Sequence, residues 1–396
     1  MSATSRSFLA LLVALSMLGP MTLNILMPSL PGLPGALNTT KESAQLTLSL
    51  YLFGMALSQL LLGPLADRFG RRPVIIGALA LYSAASFVGY VAPNIETLVF
   101  ARVAQSFGAT AGLSLSRTMI RDQNDLASSA SLIGYVTMAM TISPMLSPLL
   151  GAVIDEHLGW RMIFAFCALC GTVSLVLSAR SLPETRPASL VAATAGDVAR
   201  RTLRLAANPR YLVFLGASGF CAALFFGFLG AAPYLVIEAM GRTKSEYGLW
   251  FVCLSIGYMT GNFITARGGR RFGIGRLIWW GCLSCLLGTA LMLAAALLLP
   301  MHPALLFGPA MFVSVGNGLV LPNAIAGGIS VDLDAAGAGS GLMGFGQVGI
   351  GAVLSFLAAT YSQGSTVPLA GLLVMCAVLA VFSGWLSRRQ IEQSGR

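Results

Sequence analysis

Charge gathers at one place in this sequence. The stretch GPLADRFGRRP, residues 63–73, holds Asp67, Arg68, Arg71 and Arg72, although only 10% of the chain is charged. A carboxylate among guanidiniums is equipped for ion pairing and forked hydrogen bonds rather than for bond breaking. A second charge stands alone: Arg102, in ARVAQSFGATAGLSLSRTMIRD, has no polar loop around it. No nucleophile has a base at a plausible spacing, no metal-ligand cluster appears, and no phosphate-binding loop is present. Neither a cofactor nor a metal is therefore expected. The CALC and CLSC spacings would suggest redox or zinc chemistry in a soluble chain. Inside apolar stretches, with no histidine or charge alongside, these cysteines are read as small packing residues.

The elements that carry these charges are membrane spans. Hydrophobic residues make up 56% of the 396, and the mean hydropathy is +0.81. The apolar excess comes in segments of roughly twenty residues, the length a helix needs to cross a bilayer. Twelve such cores are expected: 8–31, 44–64, 73–92, 96–118, 128–153, 160–179, 211–236, 246–266, 275–299, 303–328, 338–361 and 366–387. A first helix that is retained, rather than a cleaved leader, is expected at the start. The predicted class is an all-α membrane protein of twelve spans.

Cation placement orients it. With the N-terminus inside, cytoplasmic segments hold 19 of the 24 Lys and Arg residues; Lys41, Arg161, Arg242 and Lys244 face out. Both termini are then expected in the cytoplasm. The net charge of +10 is thus a matter of orientation. No basic surface studded with aromatics suggests nucleic acid. A polar connection, 181–210, divides the chain into a first half, 1–180, and a second, 211–396. Its part 196–206 is either a basic amphipathic helix on the membrane surface or an irregular linker. The segment GNFITARGGRRFGIGR, 261–276, echoes the charged stretch with paired arginines after a span, as an internal repeat of two six-helix halves would.

Twelve spans, a central connection and GPLADRFGRRP between spans two and three resemble the major facilitator superfamily, whose loop motif is Gly-x-Leu-Ala-Asp-Arg-x-Gly-Arg-Arg. The resemblance covers essentially the whole chain. It implies two pseudo-symmetric six-helix bundles that rock about a shared site in a bacterial inner membrane. It also implies a conformational latch of Gly63, Asp67, Gly70, Arg71, Arg72 and Asp122. Asp67 would face the start of span eleven, and Arg71 would pair with Asp122, when the cytoplasmic side is closed. Gly63 is expected to let span two approach a neighbour, and Gly70 to permit a tight turn. The alternative reading of the stretch is topology alone. Span four is similar to the family's Arg-x-x-Gln-Gly motif through Arg102 and Gln105, with Ser106 in place of the glycine, which implies coupling or polarisation of the cavity. Pro144, Pro148 and Gly151 are similar to the antiporter motif of drug-exporting members. NILMPSLP resembles the Bcr/CflA-like drug efflux branch, except that Asn24 stands where that branch has Asp.

That exchange matters, because an amide cannot carry a proton. All fourteen acidic residues lie at span ends or in loops, with Asp155 and Glu238 the least unsuitable carriers. By mid-span position the expected cavity is lined by Asn24, Tyr51, Gln105, Phe220, Phe225, Phe226, Asn317, Asn323 and Gln347. The resulting expectation is a monomeric secondary transporter, not an enzyme. It would export small lipophilic or amphipathic compounds in exchange for protons. The alternatives are a facilitator without proton coupling and, more remotely, a sensor or scaffold on the same fold.

Overall fold

Long apolar runs deprived of water leave the backbone no partner but itself, and helix is the result. In the computed structural model, which describes residues 6–124, 126–187, 195–332, 335–362 and 364–394, twelve long helices run in chain order. They are α1 (Arg6–Ile25), α2 (Lys41–Phe69), α3 (Arg71–Tyr90), α4 (Ile95–Gln123), α5 (Leu126–Leu158), α6 (Arg161–Ser181), α7 (Pro209–Pro233), α8 (Lys244–Phe272), α9 (Ile274–Leu298), α10 (Pro303–Ile329), α11 (Ala336–Tyr361) and α12 (Thr366–Ser394). Each overlaps one expected core; seven contain it whole, while α1 and α7 end at Ile25 and Pro233, short of the expected 31 and 236, and α3, α6 and α9 miss an end by one or two residues. Ten helical segments among the described residues are long and apolar enough to span a membrane. The helix of the connection, Ala195–Ala206, matches the amphipathic reading of 196–206. Asp125, Asp334 and the side chains of Arg270 and Glu392 lie outside the described residues.

Local chemistry sets the boundaries. Thr40 and Thr243 cap α2 and α8, their hydroxyls accepting from the backbone N–H of Ser43 at 3.2 Å and of Glu246 at 3.0 Å. Both helices start on the lysine that follows. At their far ends Gly70 and Gly273 take φ of +100° and +77°, and a new helix begins at the next residue. This turn moves the repeat by a few positions. Gly70 matches Gly273, so Arg71 corresponds to Ile274, and residue 270 is still inside α8. The echo anticipated in paired arginines is carried instead by the glycine turn.

The helices pack as two six-membered bundles on one plan. In the first, α1 packs on α4 and α5, α3 on α4 and α6, and α2 on α4. In the second, α7 packs on α10 and α11, α9 on α10 and α12, and α8 on α10. Two seams join the bundles, α2 against α11 and α5 against α8, and each is the other's image in the repeat. Alternation of the spans brings the chain ends, the turn at Gly70 and the connection to one face, called here the terminal face. Gly151 is the tightest point in the first bundle: a Cβ there would overlap the Ile25 carbonyl of α1.

Candidate functional site

At the terminal face a network forms around the Gly70 turn. Arg71 is ion-paired with Asp67 and donates through Nε to Asp122 Oδ2 at 3.2 Å. Arg72 Nη2 donates to the Ala179 carbonyl at 2.8 Å. Beneath lies a residue the sequence reading passed over, Glu184. Its carboxylate accepts from the backbone N–H groups of Arg71, Arg72, Thr185 and Arg186, at 2.9 to 3.1 Å. Burial pulls this carboxyl toward its neutral form, but the four backbone donors outweigh that and hold it below its ordinary value. A side chain at Gly70 would place its Cβ 2.5 Å from Glu184 Oε2, so the glycine serves the dock as well as the turn. Thr185 Oγ1 donates to Asp122, and Arg186 Nη1 to the Arg68 carbonyl at 3.1 Å. The network therefore ties α2, α3, α4 and the start of the connection together within the first bundle.

Asp67 is ion-paired with Arg71 in its own half; its approach to the start of α11 is an expectation for the pose closed on the terminal face. One expectation changes: Gly63 makes no close approach, since nothing lies within 4 Å of a Cβ built there. The close approach is supplied by glycines of the partner helix: Gly341 and Gly344 of α11 receive Gln59 of α2.

Arg102 is sealed inside the first bundle with 1% of its surface exposed. Its Nε donates to the Thr47 carbonyl at 3.2 Å; Nη1 donates to the Thr22 carbonyl at 3.1 Å and to Gln105 Oε1 at 2.7 Å. Its guanidinium carbon lies 4.0 Å from the ring centroid of Tyr51, a cation–π contact. Gln105 passes the chain on to Ser86, and Tyr51 donates to the Gly19 carbonyl. Thus Tyr51 and Gln105 are supports of Arg102 in this conformation, not walls open to a substrate. Ser106, in the glycine position of the family motif, fits because Gly54 opposite it has no side chain. Asn24 is buried, donates to the Pro20 carbonyl at 2.8 Å and leaves its Oδ1 without a partner. In α5, Pro144, Pro148 and Gly151 lie within one continuous helix, where Ser143 donates to Met17 of α1.

The second half holds the aromatic part of the expected cavity. Phe225 contacts Phe226 and Phe251 edge-on, with centroids 5.6 and 6.2 Å apart. Phe226 fills the space left by Gly351, while the Phe220 carbonyl accepts from Cys376. Asn323 donates to Thr265 and to the Leu319 carbonyl. Both side-chain atoms of Asn317 and Nε2 of Gln347 are buried without partners. Buried polar groups are normally satisfied, so such atoms mark places where water or a ligand completes the structure.

Away from the terminal face, ion pairs cross between the halves. Lys41 of α2 pairs with Glu238, just past α7, and Lys244 Nζ of α8 lies 2.6 Å from Asp155 Oδ2 of α5. Ser245 donates through its backbone and hydroxyl to Glu156, which lowers that carboxyl's pKa. Beneath the first pair, Gln45 donates to Ser355 at 3.3 Å. A cavity of about 250 Å³, lined by Lys41, Glu42, Gln45, Tyr234 and Glu238 among others, sits at this outer seam and not at mid-span. Asp155 and Glu238, the two acids considered as proton carriers, are thus each held by a lysine of the opposite half. The signal was legible in hindsight: Thr-Lys recurs at 40–41 and 243–244. Arg117 was also overlooked, having been read only as an orienting charge. Its Nη2 contacts Met140 Sδ of α5, and Tyr258 of α8, in the other half, is near enough to act on its charge.

Comparison with known proteins agrees with this architecture. The chain is 29% identical over 393 residues to Multidrug resistance protein D of Escherichia coli K12, covering 96% of this chain and 95% of that one. It is 25% identical over 391 residues to the Bicyclomycin resistance protein homolog of Haemophilus influenzae, covering 98% of each. Among solved structures, the xylose transporter XylE from E. coli, in a partially occluded inward-open conformation, superposes with a TM-score of 0.74. That match spans 97% of this chain and 98% of XylE at 15% identity, a likeness of fold. The model of the Major Facilitator Superfamily matches residues 10–356.

Proposed function

The chain belongs to the Major Facilitator Superfamily, and we propose that it exports small lipophilic or amphipathic compounds, drugs and antibiotics among them, by alternating access. The observation that carries this reading is end-to-end similarity to relatives named for multidrug and bicyclomycin resistance. The geometry supports it. Two repeat-related seams join the halves, ion pairs close one face, and buried amide atoms of Asn24, Asn317 and Gln347 lack partners in the interior. The first half, 1–180, and the second, 211–396, would move as bodies about the connection at 181–210. The terminal face would be cytoplasmic, the membrane the bacterial inner membrane and the working unit a monomer. The present conformation would be closed to the outside by Lys41–Glu238 and Lys244–Asp155.

Exchange for protons is the coupling that the resemblance of Pro144, Pro148 and Gly151 to the antiporter motif implies. A specific observation favours a second reading, without proton coupling: the described acids all sit at helix ends or in loops, and Asn24 replaces a carboxylate. Purified protein in liposomes with a pH-reporting dye separates the two. Substrate-driven proton flux, collapsing with the pH gradient, is expected from exchange. Substrate movement with no proton flux would establish the uncoupled carrier. Failure to move any lipophilic compound would remove the export reading.

A further inference from the structure

Two arginines of α4 are treated differently by the fold. Arg102 makes three hydrogen bonds through Nε and Nη1, to two carbonyls and Gln105, and gives its face to Tyr51, with Nη2 left buried and unpartnered. Arg117, nearer the terminal face, is partly exposed, and the contact made by its Nη2 is to Met140 Sδ at 3.4 Å. A thioether is a weak acceptor. Its Nε is buried with no partner. The groups that act on it electrostatically are Tyr258, from the other half, and Arg121, a second cation one turn on. Asp122, the nearest carboxylate in sequence, is already engaged by Arg71 and Thr185.

Position adds the second argument. Arg117 lies one turn beyond Ser114, whose hydroxyl donates to Gln59, where α2 meets Gly341 and Gly344. Arg117 is therefore one turn beyond that closure, toward the terminal face. Met140 of α5 meets its Nη2 through the thioether, and Tyr258 of α8 acts on it electrostatically from the other half. An intramembrane cation with no counter-charge among the described residues marks a functional position, because those residues leave the cost of burying it unanswered.

We propose that Arg117 recognises the anionic group of an amphiphilic substrate: one sulfonate or carboxylate on a flat apolar body, entering from the terminal face. The assignment rests on the export reading and narrows it. The headgroup accepts from the idle guanidinium donors, and the apolar body lies against Met140 and the Tyr258 ring. A compact cation finds no described carboxylate at this depth.

The test uses the full-length protein in detergent with two dyes that differ by one sulfonate, 8-anilinonaphthalene-1-sulfonate and N-phenyl-1-naphthylamine. Binding is read as energy transfer from the tryptophans, corrected for protein-free micelles. The sulfonate should bind about tenfold more tightly or better; Arg117→Lys should keep most of that preference and Arg117→Gln should bring the two dyes to parity. Equal affinities in the unchanged chain overturn the proposal. So does a preference that survives in Arg117→Gln. Loss of sulfonate binding when gluconate is replaced by chloride at equal ionic strength also overturns it, making Arg117 a site for small inorganic anions. If Arg117→Gln does not elute as folded protein, phenylglyoxal labelling of the unchanged chain decides. The sulfonate dye should protect Arg117 and the neutral dye should not; equal protection counts against the assignment. If cells carrying the chain exclude no lipophilic dye, the export reading falls, and the affinity ratio still judges Arg117.

Discussion

Inside this molecule the Arg102 charge is held by the partners that its Nε and Nη1 find, while Nη2 stays unpartnered. Three hydrogen bonds and an aromatic face hold the Arg102 guanidinium, and hydrogen bonds to charged groups contribute about 1.5–3 kcal/mol each. A lysine supplies a point charge that cannot span the Thr22 and Thr47 carbonyls together. Arg102→Lys is therefore expected to cost roughly 3 kcal/mol, seen as a lowered melting temperature of purified protein; an unchanged melt would mean the carbonyls are satisfied some other way. Glu184 is held in the same way with the signs exchanged. Its folded pKa lies below the ordinary 4.5, so its contribution is complete above that value and is lost as pH falls through the folded one. Amide exchange at Arg71 and Arg72, corrected for intrinsic rate, should be slow at pH 7 and accelerate as the pH falls below the ordinary 4.5 and through the folded value. In Glu184→Gln it should be fast at both. The charged motif itself was legible because it violates the composition around it. Glu184 was not, since its partners are backbone amides, which every residue possesses and no sequence pattern advertises.

Between helices the decisive quantity is the distance of approach, and glycine sets it. Gly151→Ala would drive a methyl into the Ile25 carbonyl, so α1 and α5 must separate, at a cost of about 1–3 kcal/mol. Gly63→Ala meets open space and gains helix propensity, with stability unchanged or raised by up to about 1 kcal/mol. The pair of melting curves checks both. If Gly63→Ala melts normally yet transports poorly, the glycine is needed in a pose other than the one described here. The twelve spans were readable because hydrophobic length is a property of the chain alone. Which glycine touches which helix depends on rotation about each axis, and sequence position does not fix that. Gly63 was chosen for its motif, while the contact belongs to Gly341 and Gly344. Tyr51 and Gln105 were placed by depth in their spans, yet both turn inward to hold Arg102.

At the scale of the molecule, two pairs of charges close one face. Lys41–Glu238 is largely exposed and worth at most about 1 kcal/mol. Lys244–Asp155 is different: the Asp155 side chain is only 7% exposed, so loss of its partner strands a carboxylate. Lys244→Ala should shift the balance toward opening at that face by about 2 kcal/mol, roughly thirtyfold in population. Labelling of a cysteine introduced at the outer seam reports the shift, and Lys244→Asp with Asp155→Lys should restore it. A swap that fails to restore closure would reduce the pair to incidental proximity.

The connection has one more consequence. Its beginning is moored to the first bundle through Glu184, Thr185 and Arg186, and its helix, Ala195–Ala206, rests on α7 and α11 of the second, with Leu205 against Gly339. A polypeptide extends by at most about 3.5 Å per residue, so the eight steps from residue 187 to 195 can span roughly 28 Å and no more. While both moorings hold, that length is a leash. It caps how wide the gap on that side can gape, and so the girth of any cargo that slips in beside it.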